Sequence, residues 1–349
     1  MTRLNIALKR IILAVIFVAV IWTVIYLFFT PLLHRYQIKG ILGTDMDLQI
    51  IARRLTDVDK LKDGLILEIQ RLNKVFSSYL PDSELNKLNQ TGYEQPVSLS
   101  NEMETVIKSG IEFGSVSGGA FDITALPLIK LWNAVDKSKS DTPSHKEILK
   151  ARSLVDYRNI SLNKGKLRLK QKGMALGLGG SAKGYIIDAG IKYLRNHGIK
   201  NALLNIGGDM YAVGKNIRNT SWQISITNPR PDRYSKDMIS VVSVENRALA
   251  TSGDYERYRV SKSGERIHHI IDPKTGYPAR ESISVSILAP TALLADSIAT
   301  MIFVIGPQRG LDWVEREKGV EAFIIYERGG KIERALSSGF PVSTIKINK

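Results

Sequence analysis

The sequence predicts an α+β protein, with mixed and antiparallel sheets and flanking helices, preceded by one N-terminal transmembrane helix. Three observations carry this. Ile11 to Leu33 run without a formal charge. Beyond Gly40, strand and helix patterns alternate without the regular βαβ rhythm of a doubly wound parallel sheet. Tight-turn signals at Asn163-Lys164-Gly165 and Gly207-Gly208 join consecutive strands, as antiparallel hairpins require.

The apolar run would be about 34 Å long as a helix, enough for a bilayer core of ~30 Å. Arg3, Lys9 and Arg10 precede it, as a cytoplasmic N-terminus requires. His34, Arg35 and Lys39 follow it, so the charge bias is modest. A cleaved signal peptide has a shorter apolar stretch and small residues at its end. Here the run ends in Tyr26, Leu27, Phe28 and Phe29, so an uncleaved anchor fits better, with Trp22 and Tyr26 facing lipid or interface. The expected organisation is a short cytoplasmic N-terminus (1–10), a membrane anchor (11–33) and an extracytoplasmic domain (40–349). The protein would then sit in the inner (cytoplasmic) membrane as a single-pass protein, its domain periplasmic or extracellular.

In the domain, Ile51, Leu55, Val58, Leu61, Leu65, Ile69 and Leu72 repeat at helical spacing, and Asn101 to Val116 reads as a second helix. Asn133 to His145 reads as an exposed polar loop. Ile160 to Gln171 is a hairpin. Ala182 to Asn196 is a helix stopped at Gly198. Strands are expected at 202–214 (with a Gly-Gly turn), 222–227, 239–244, 266–271, 282–288, 322–326 and 344–347, and a helix at 291–304.

Composition narrows the function. The 349 residues are 44% hydrophobic and 24% charged, those of a folded protein. The absence of cysteine excludes disulfides, thiolate catalysis, iron–sulfur clusters and a lipidated-cysteine anchor. The net charge of +15 raises nucleic acid, anionic lipid or a phosphate-bearing ligand as partners. Lys and Arg are spread along the chain without an aromatic-interleaved basic run, so nucleic acid is not expected.

Several segments can carry chemistry. Asp296 and Thr300 share one face of a helix otherwise lined by apolar and small residues. They are either two hard oxygen ligands for Mg²⁺ or the wet face of an amphipathic helix. Gly177-Leu178-Gly179-Gly180-Ser181-Ala182-Lys183-Gly184 opens into a helix. It is either an anion-binding turn or a tight connection, and its spacing matches neither a Walker A nor a dinucleotide fingerprint. His268 and His269 alternate across a strand, so one faces a cleft if the other packs. Gly118 to Thr124 and Ala250 to Arg257 are turn-rich and polar around an aromatic.

The ordered set of these segments resembles the FAD:protein FMN transferase, or ApbE, family. The likeness runs from Leu42-Gly43-Thr44 to Gly306. It takes in Ser78 to Leu85, Gly119 to Thr124, Leu178 to Tyr185, Asn205 to Asp209, Ala250 to Tyr255, His269 to Pro278 and Ala289 to Thr300. The resemblance implies transfer of FMN from FAD to a Thr or Ser hydroxyl of an acceptor flavoprotein, with release of AMP. Mg²⁺ would be held by Asp296, Thr300 and the Gly180 carbonyl. FAD contacts would fall on Leu42, Tyr79, Ala120, Phe121, Asp122, Gly177, Lys183 and Ile270, with His269 as the base. Asp296 and His269 would be the catalytic pair. Gly177 stands where the family usually has Asp, which removes one FAD contact, and Leu42 replaces a usual Met. The resemblance leaves two alternatives open: a Mg-dependent FAD pyrophosphatase and a non-catalytic flavin-binding protein.

Overall fold

The computed structural model describes residues 2–135, 142–230, 238–262 and 264–345. The chain starts as helix α1 (Thr2–Phe29), whose Ala7–Tyr26 stretch is long and apolar enough to cross a membrane. Thr30 alone separates it from strand β1 (Pro31–Ile41), which pairs with β2 (Thr44–Arg53). The helix ends four residues before the expected boundary at Leu33: proline stops it, and Leu32 and Leu33 lie in a strand. The β1–β2 turn, Leu42-Gly43, has two left-handed residues (φ 54° and 75°), the geometry of a two-residue hairpin.

Helix α2 (Val58–Phe76) starts later than its apolar spacing suggested, because Ile50 and Ile51 belong to β2. They are buried on opposite faces of that strand, which erases the alternation that marks a half-buried strand. Helix α3 (Glu84–Thr91) and strand β3 (Val97–Ser98) precede α4 (Asn101–Val116), which matches its expected span. Next come α5 (Leu126–Asn133) and α6 (His145–Arg152), so the ends of the expected 133–145 loop are helical. Residues 136–141 of that loop lie outside the described residues.

Strands β4 (Ile160–Asn163) and β5 (Lys166–Leu169) form the expected hairpin, with Lys164 and Gly165 both left-handed. Helix α7 (Ala182–Asn196) follows, then β6 (Asn201–Ile206) and β7 (Asp209–Val213) around Gly207-Gly208. The chain continues through β8 (Trp222–Thr227), β9 (Met238–Val244), β10 (Arg247–Gly253), β11 (Tyr258–Val260) and β12 (Arg266–His268), which stops three residues short of expectation. It ends with β13 (Ser284–Ala289), α8 (Ala292–Ile305), α9 (Pro307–Val314), β14 (Glu321–Arg328), β15 (Lys331–Leu336) and β16 (Val342–Ile345). The expected last strand begins two residues earlier, and 346–349 lie outside the described residues.

An eight-stranded sheet, ordered β1-β2-β6-β7-β10-β13-β14-β15, organises the domain. Every pair in it is antiparallel. One face carries the larger core, built with helices α2, α4, α7 and α8. The other is covered by the three-stranded sheet β16-β9-β8 through Trp222, Ile224, Ile226 and Val242. Strand β13 is buried along its whole length for this reason. Val285, Ile287 and Ala289 face the helices, while Leu288 faces the small sheet.

Helices α7 and α8 are joined end to flank. The N-cap of α7, Ser181, makes no side-chain capping bond. The third N–H of the helix, on Gly184, instead donates to Asp296 Oδ2 of α8 at 3.0 Å. In return Asp188 of α7 accepts the Ala292 and Leu293 N–H groups at the start of α8, at 2.7 and 2.9 Å. Each helix thus satisfies orphan donors of the other. The approach needs glycine: a Cβ on Gly184 would lie 2.2 Å from the Ala292 carbonyl oxygen.

The crossing can be tested by stability measurements. Gly184→Ala should lower the unfolding free energy by about 3 kcal/mol in denaturant titrations, since a backbone atom must move. Gly179→Ala, with no atom within 4 Å of its Cβ, should change it by less than about 0.5 kcal/mol. Burial pushes the Asp188 carboxyl up to about 6, against the N–H bonds that hold it down. The folded chain therefore binds this proton more tightly than the unfolded chain, whose Asp titrates near about 3.9. The contribution of Asp188 is largest below pH 4 and declines up to pH 6. Wild-type stability relative to Asp188→Asn should fall over that window and be flat above it.

Candidate active site

Where α7 meets α8, four segments converge on Lys183. Its ammonium lies 3.0 Å from Asp209 Oδ2 and 3.4 Å from the Gly207 carbonyl oxygen. The Asp209 carboxylate is buried, and Lys183 is the cation paired with its Oδ2. Asp209 Oδ1 accepts the Thr251 N–H at 3.1 Å. Burial opposes the Lys183 charge, but Asp209, Asp296 and Glu256 around it outweigh burial and raise its pKa. Burial also raises the Asp209 carboxyl, and takes Glu256 up to about 7. Asp296 is pushed up to about 8, first by burial and then by Asp209. One ammonium is thus shared by three carboxylates, and the site favours a further positive charge.

Thr300, one turn beyond Asp296, places its Oγ1 3.3 Å from Ser252 Oγ of β10. The Gly180 backbone abuts the same point: a Cβ there would lie 3.0 Å from Thr300 Oγ1 and 3.2 Å from the Phe121 ring. Gly180, Asp296, Thr300 and Phe121 are therefore brought together. The donor set of one carboxylate, hydroxyls and a carbonyl is hard oxygen throughout, as Mg²⁺ prefers when substrate phosphate completes its shell. Among the described residues no group of three or more His, Cys, Asp or Glu side chains is placed to hold a metal.

The two histidines diverge. His268 is buried, with Nε2 donating to the Ala279 carbonyl at 2.8 Å, Nδ1 accepting the Ile270 N–H at 3.3 Å, and Phe303 against its ring. His269 reaches solvent, and its Nδ1 donates to the Arg257 carbonyl at 3.3 Å. A carbonyl only accepts, so the proton is on Nδ1 and the Nε2 lone pair is left for chemistry. Desolvation by the surrounding protein, and after it the charges of Arg257, His268 and Lys183, hold its pKa well below the ordinary histidine range.

The other expected contacts fall into different environments. Ala120 and Phe121 are buried, and Phe113 meets the Phe121 ring edge-on. Asp122 turns inward: Oδ1 accepts the Thr124 N–H and hydroxyl at 2.8 and 2.6 Å, and Oδ2 accepts the Tyr157 N–H at 2.9 Å. It shapes the loop under Phe121, and its oxygens are already bonded within the fold. Ile270 is buried, and its N–H and carbonyl are bonded to His268 and Ala279. Tyr79 is 78% exposed on a loop held by three bonds from the Asn86 amide. Leu42 sits in the left-handed β1–β2 turn, beside the Gly207-Gly208 turn through Thr44. Gly177 donates its N–H to the Ile123 carbonyl at 2.8 Å, and a Cβ there would press on Leu126 at 3.2 Å.

Asp209, Glu256 and Ser252 were not singled out from the sequence. Asp209 had a signal: it shares the buried parity of Tyr211 and Val213 in β7, an expensive place for a lone carboxylate. Ser252 and Glu256 lay inside the turn-rich Ala250 to Arg257 segment, with nothing in their spacing to pick them out of it.

The chain as a whole is similar to known proteins. Residues 42–324 match the model of the ApbE family. The FAD:protein FMN transferase of Vibrio cholerae serotype O1 is 31% identical over 303 residues, covering 86% of this chain and 90% of that protein. That of Haemophilus influenzae is 31% identical over 287 residues, covering 80% and 82%. Among solved structures, the flavin transferase ApbE from Vibrio cholerae superposes with a TM-score of 0.79 at 28% identity, covering 88% of this chain and 99% of that one. The ApbE protein of Thermotoga maritima gives 0.76 at 30% identity, covering 88% and 97%. With the match extending from the β1–β2 turn to β14, the chain belongs to the ApbE family.

Proposed function

We propose that this chain transfers FMN from FAD to a Thr or Ser hydroxyl of an acceptor flavoprotein and releases AMP. The carrying observation is the Asp296–Thr300–Gly180 oxygen set beside Lys183, within a family whose members include FAD:protein FMN transferases. Asp296, Thr300 and the Gly180 carbonyl would hold Mg²⁺, which would neutralise pyrophosphate charge and stabilise the departing AMP. Lys183 brings a fixed positive charge to the same phosphates. Ala120 and Phe121 offer an apolar floor for the flavin ring. Leu42 and Tyr79 lie on exposed turns from which they would reach FAD. The acceptor oxygen forms its bond to the FMN phosphorus as the bond to the AMP oxygen breaks. His269 Nε2 takes the hydroxyl proton, and Nδ1–H, held by Arg257, keeps the ring in the required tautomer. Helix α1 fits a single-pass anchor, with the domain outside the cytoplasm.

Two measurements test this. Asp296→Asn keeps an acceptor for the Gly184 N–H but loses the charge. It should lower FMN transfer from FAD to an acceptor at least about 100-fold, read as mass gain on the acceptor and as AMP. Unchanged AMP release would remove the metal assignment, and AMP without mass gain would make the chain an FAD pyrophosphatase. The second is a pH profile. Because the His269 pKa is lowered, its neutral, basic form persists into mild acid. The acid limb of kcat/KM should lie below the value of about 6.5 of a free imidazole and vanish in His269→Ala.

A further inference from the structure

The two ends of the large sheet differ in chemistry. One end carries the Leu42-Gly43 and Gly207-Gly208 turns and the end of β10 at Gly253, and so the candidate active site. At the other, Pro31 pairs with Arg53 and Ile51 with Asn201. The Lys215 N–H donates to Asn201 Oδ1 at 2.7 Å, and a Cβ on Gly214 would meet the Lys200 carbonyl oxygen at 2.3 Å. The segments after β2, before β6 and after β7 therefore gather around the point where α1 enters. Each bears basic residues: Arg53 and Arg54, Lys200, then Lys215 and Arg218. Two apolar tips project among them, Leu55 at 66% exposure and Ile217 at 45%. Of the nearby carboxylates, Asp57 caps α2 through the Lys60 N–H, and Glu245 accepts from Ser221 Oγ.

The membrane-crossing stretch of α1 ends at this same place. Tyr26, its last residue, accepts a hydrogen bond from Arg54 Nη2 at 2.7 Å, and that guanidinium lies 4.6 Å from the ring centre. Trp22 stacks on Tyr26 at 6.0 Å. Trp and Tyr at the end of an apolar helix sit at headgroup level. Arg54 is therefore at headgroup level too, and Leu55 follows it directly.

We infer that this basal end of the domain rests on the membrane surface. Leu55 and Ile217 enter the interface, while Lys200, Lys215 and Arg218 meet the phosphates of anionic lipids. The inference rests on reading α1 as the membrane span. It places the cleft at the far end of the sheet: ten residues of β2, at about 3.4 Å each, set the Leu42-Gly43 turn roughly 30 Å above the surface. The acceptor is then a protein whose target hydroxyl projects that far from the bilayer.

The chain has no cysteine, so single cysteines can be labelled with an environment-sensitive fluorophore. Full-length Leu55→Cys, Ile217→Cys, Val15→Cys and Lys331→Cys would be reconstituted in vesicles of phosphatidylcholine and phosphatidylglycerol containing nitroxide lipids. Val15 lies within the span, and Lys331 at the far end of the sheet. Labels at 15, 55 and 217 should lose roughly half their emission, and the label at 331 none. Lys200→Glu with Arg218→Glu, or phosphatidylcholine alone, should return the label at 217 toward the level at 331. Quenching at 15 but not at 55 and 217 overturns the seat and leaves the anchor. No quenching at 15 removes the anchor and the seat with it. The readout needs neither FAD nor an acceptor, so it stands or falls separately from the transfer reaction.

Discussion

The mutual capping of α7 and α8 is the constraint on which the rest of the site depends. Asp296 completes the first turn of α7, and Asp188 completes the first turn of α8. Each helix start is finished by the other helix, so the two can dock only in one register. That register brings Gly180, before α7, against Thr300 in α8, and aims Lys183 at the β6–β7 turn. Asp296 therefore has two duties. It holds the helix in place, and it presents a charge that its buried surroundings disfavour.

The charge balance sets this place apart from a merely structural contact. Asp209, Glu256 and Asp296 surround one lysine, and burial raises all three carboxyl pKa values. Asp209 and Asp296 are buried while Glu256 lies at the exposed rim; a cluster with more negative than positive groups at such a place is costly, and a bound cation offsets that cost. The same cluster would repel an unaccompanied pyrophosphate. Anionic substrate and cation are thus expected to bind together, each relieving the field that resists the other.

Much of this was legible in the sequence where the pattern is local. Helices 101–116 and 182–196 follow from spacing and stop signals, and both hairpins follow from turn residues that tolerate left-handed backbone. Asp296 and Thr300 were readable as a pair because one helical turn puts them on one face. What escaped depends on partners distant in the chain. Strand β2 is covered on both sides, so Ile50 and Ile51 mimic a helical face. Asp209 and Glu256 acquire meaning only when β7 and the segment after β10 converge on Lys183. Gly184 looks like an ordinary helix glycine until Ala292 lies over it. Gly118 to Thr124 was legible as a segment, but not that Asp122 would spend its oxygens on Thr124 and Tyr157.

Thr30 is the sole residue between helix α1 and the first strand of the sheet. A catalytic domain on a long stalk sweeps a volume and samples targets by tumbling. With α1 in a bilayer, a single-residue joint braced by Arg54 and Tyr26 permits little beyond sliding and spinning within the plane. Encounters with a membrane-held target then become collisions in two dimensions. Their frequency is set by lateral diffusion and surface density, not by concentration in the surrounding fluid.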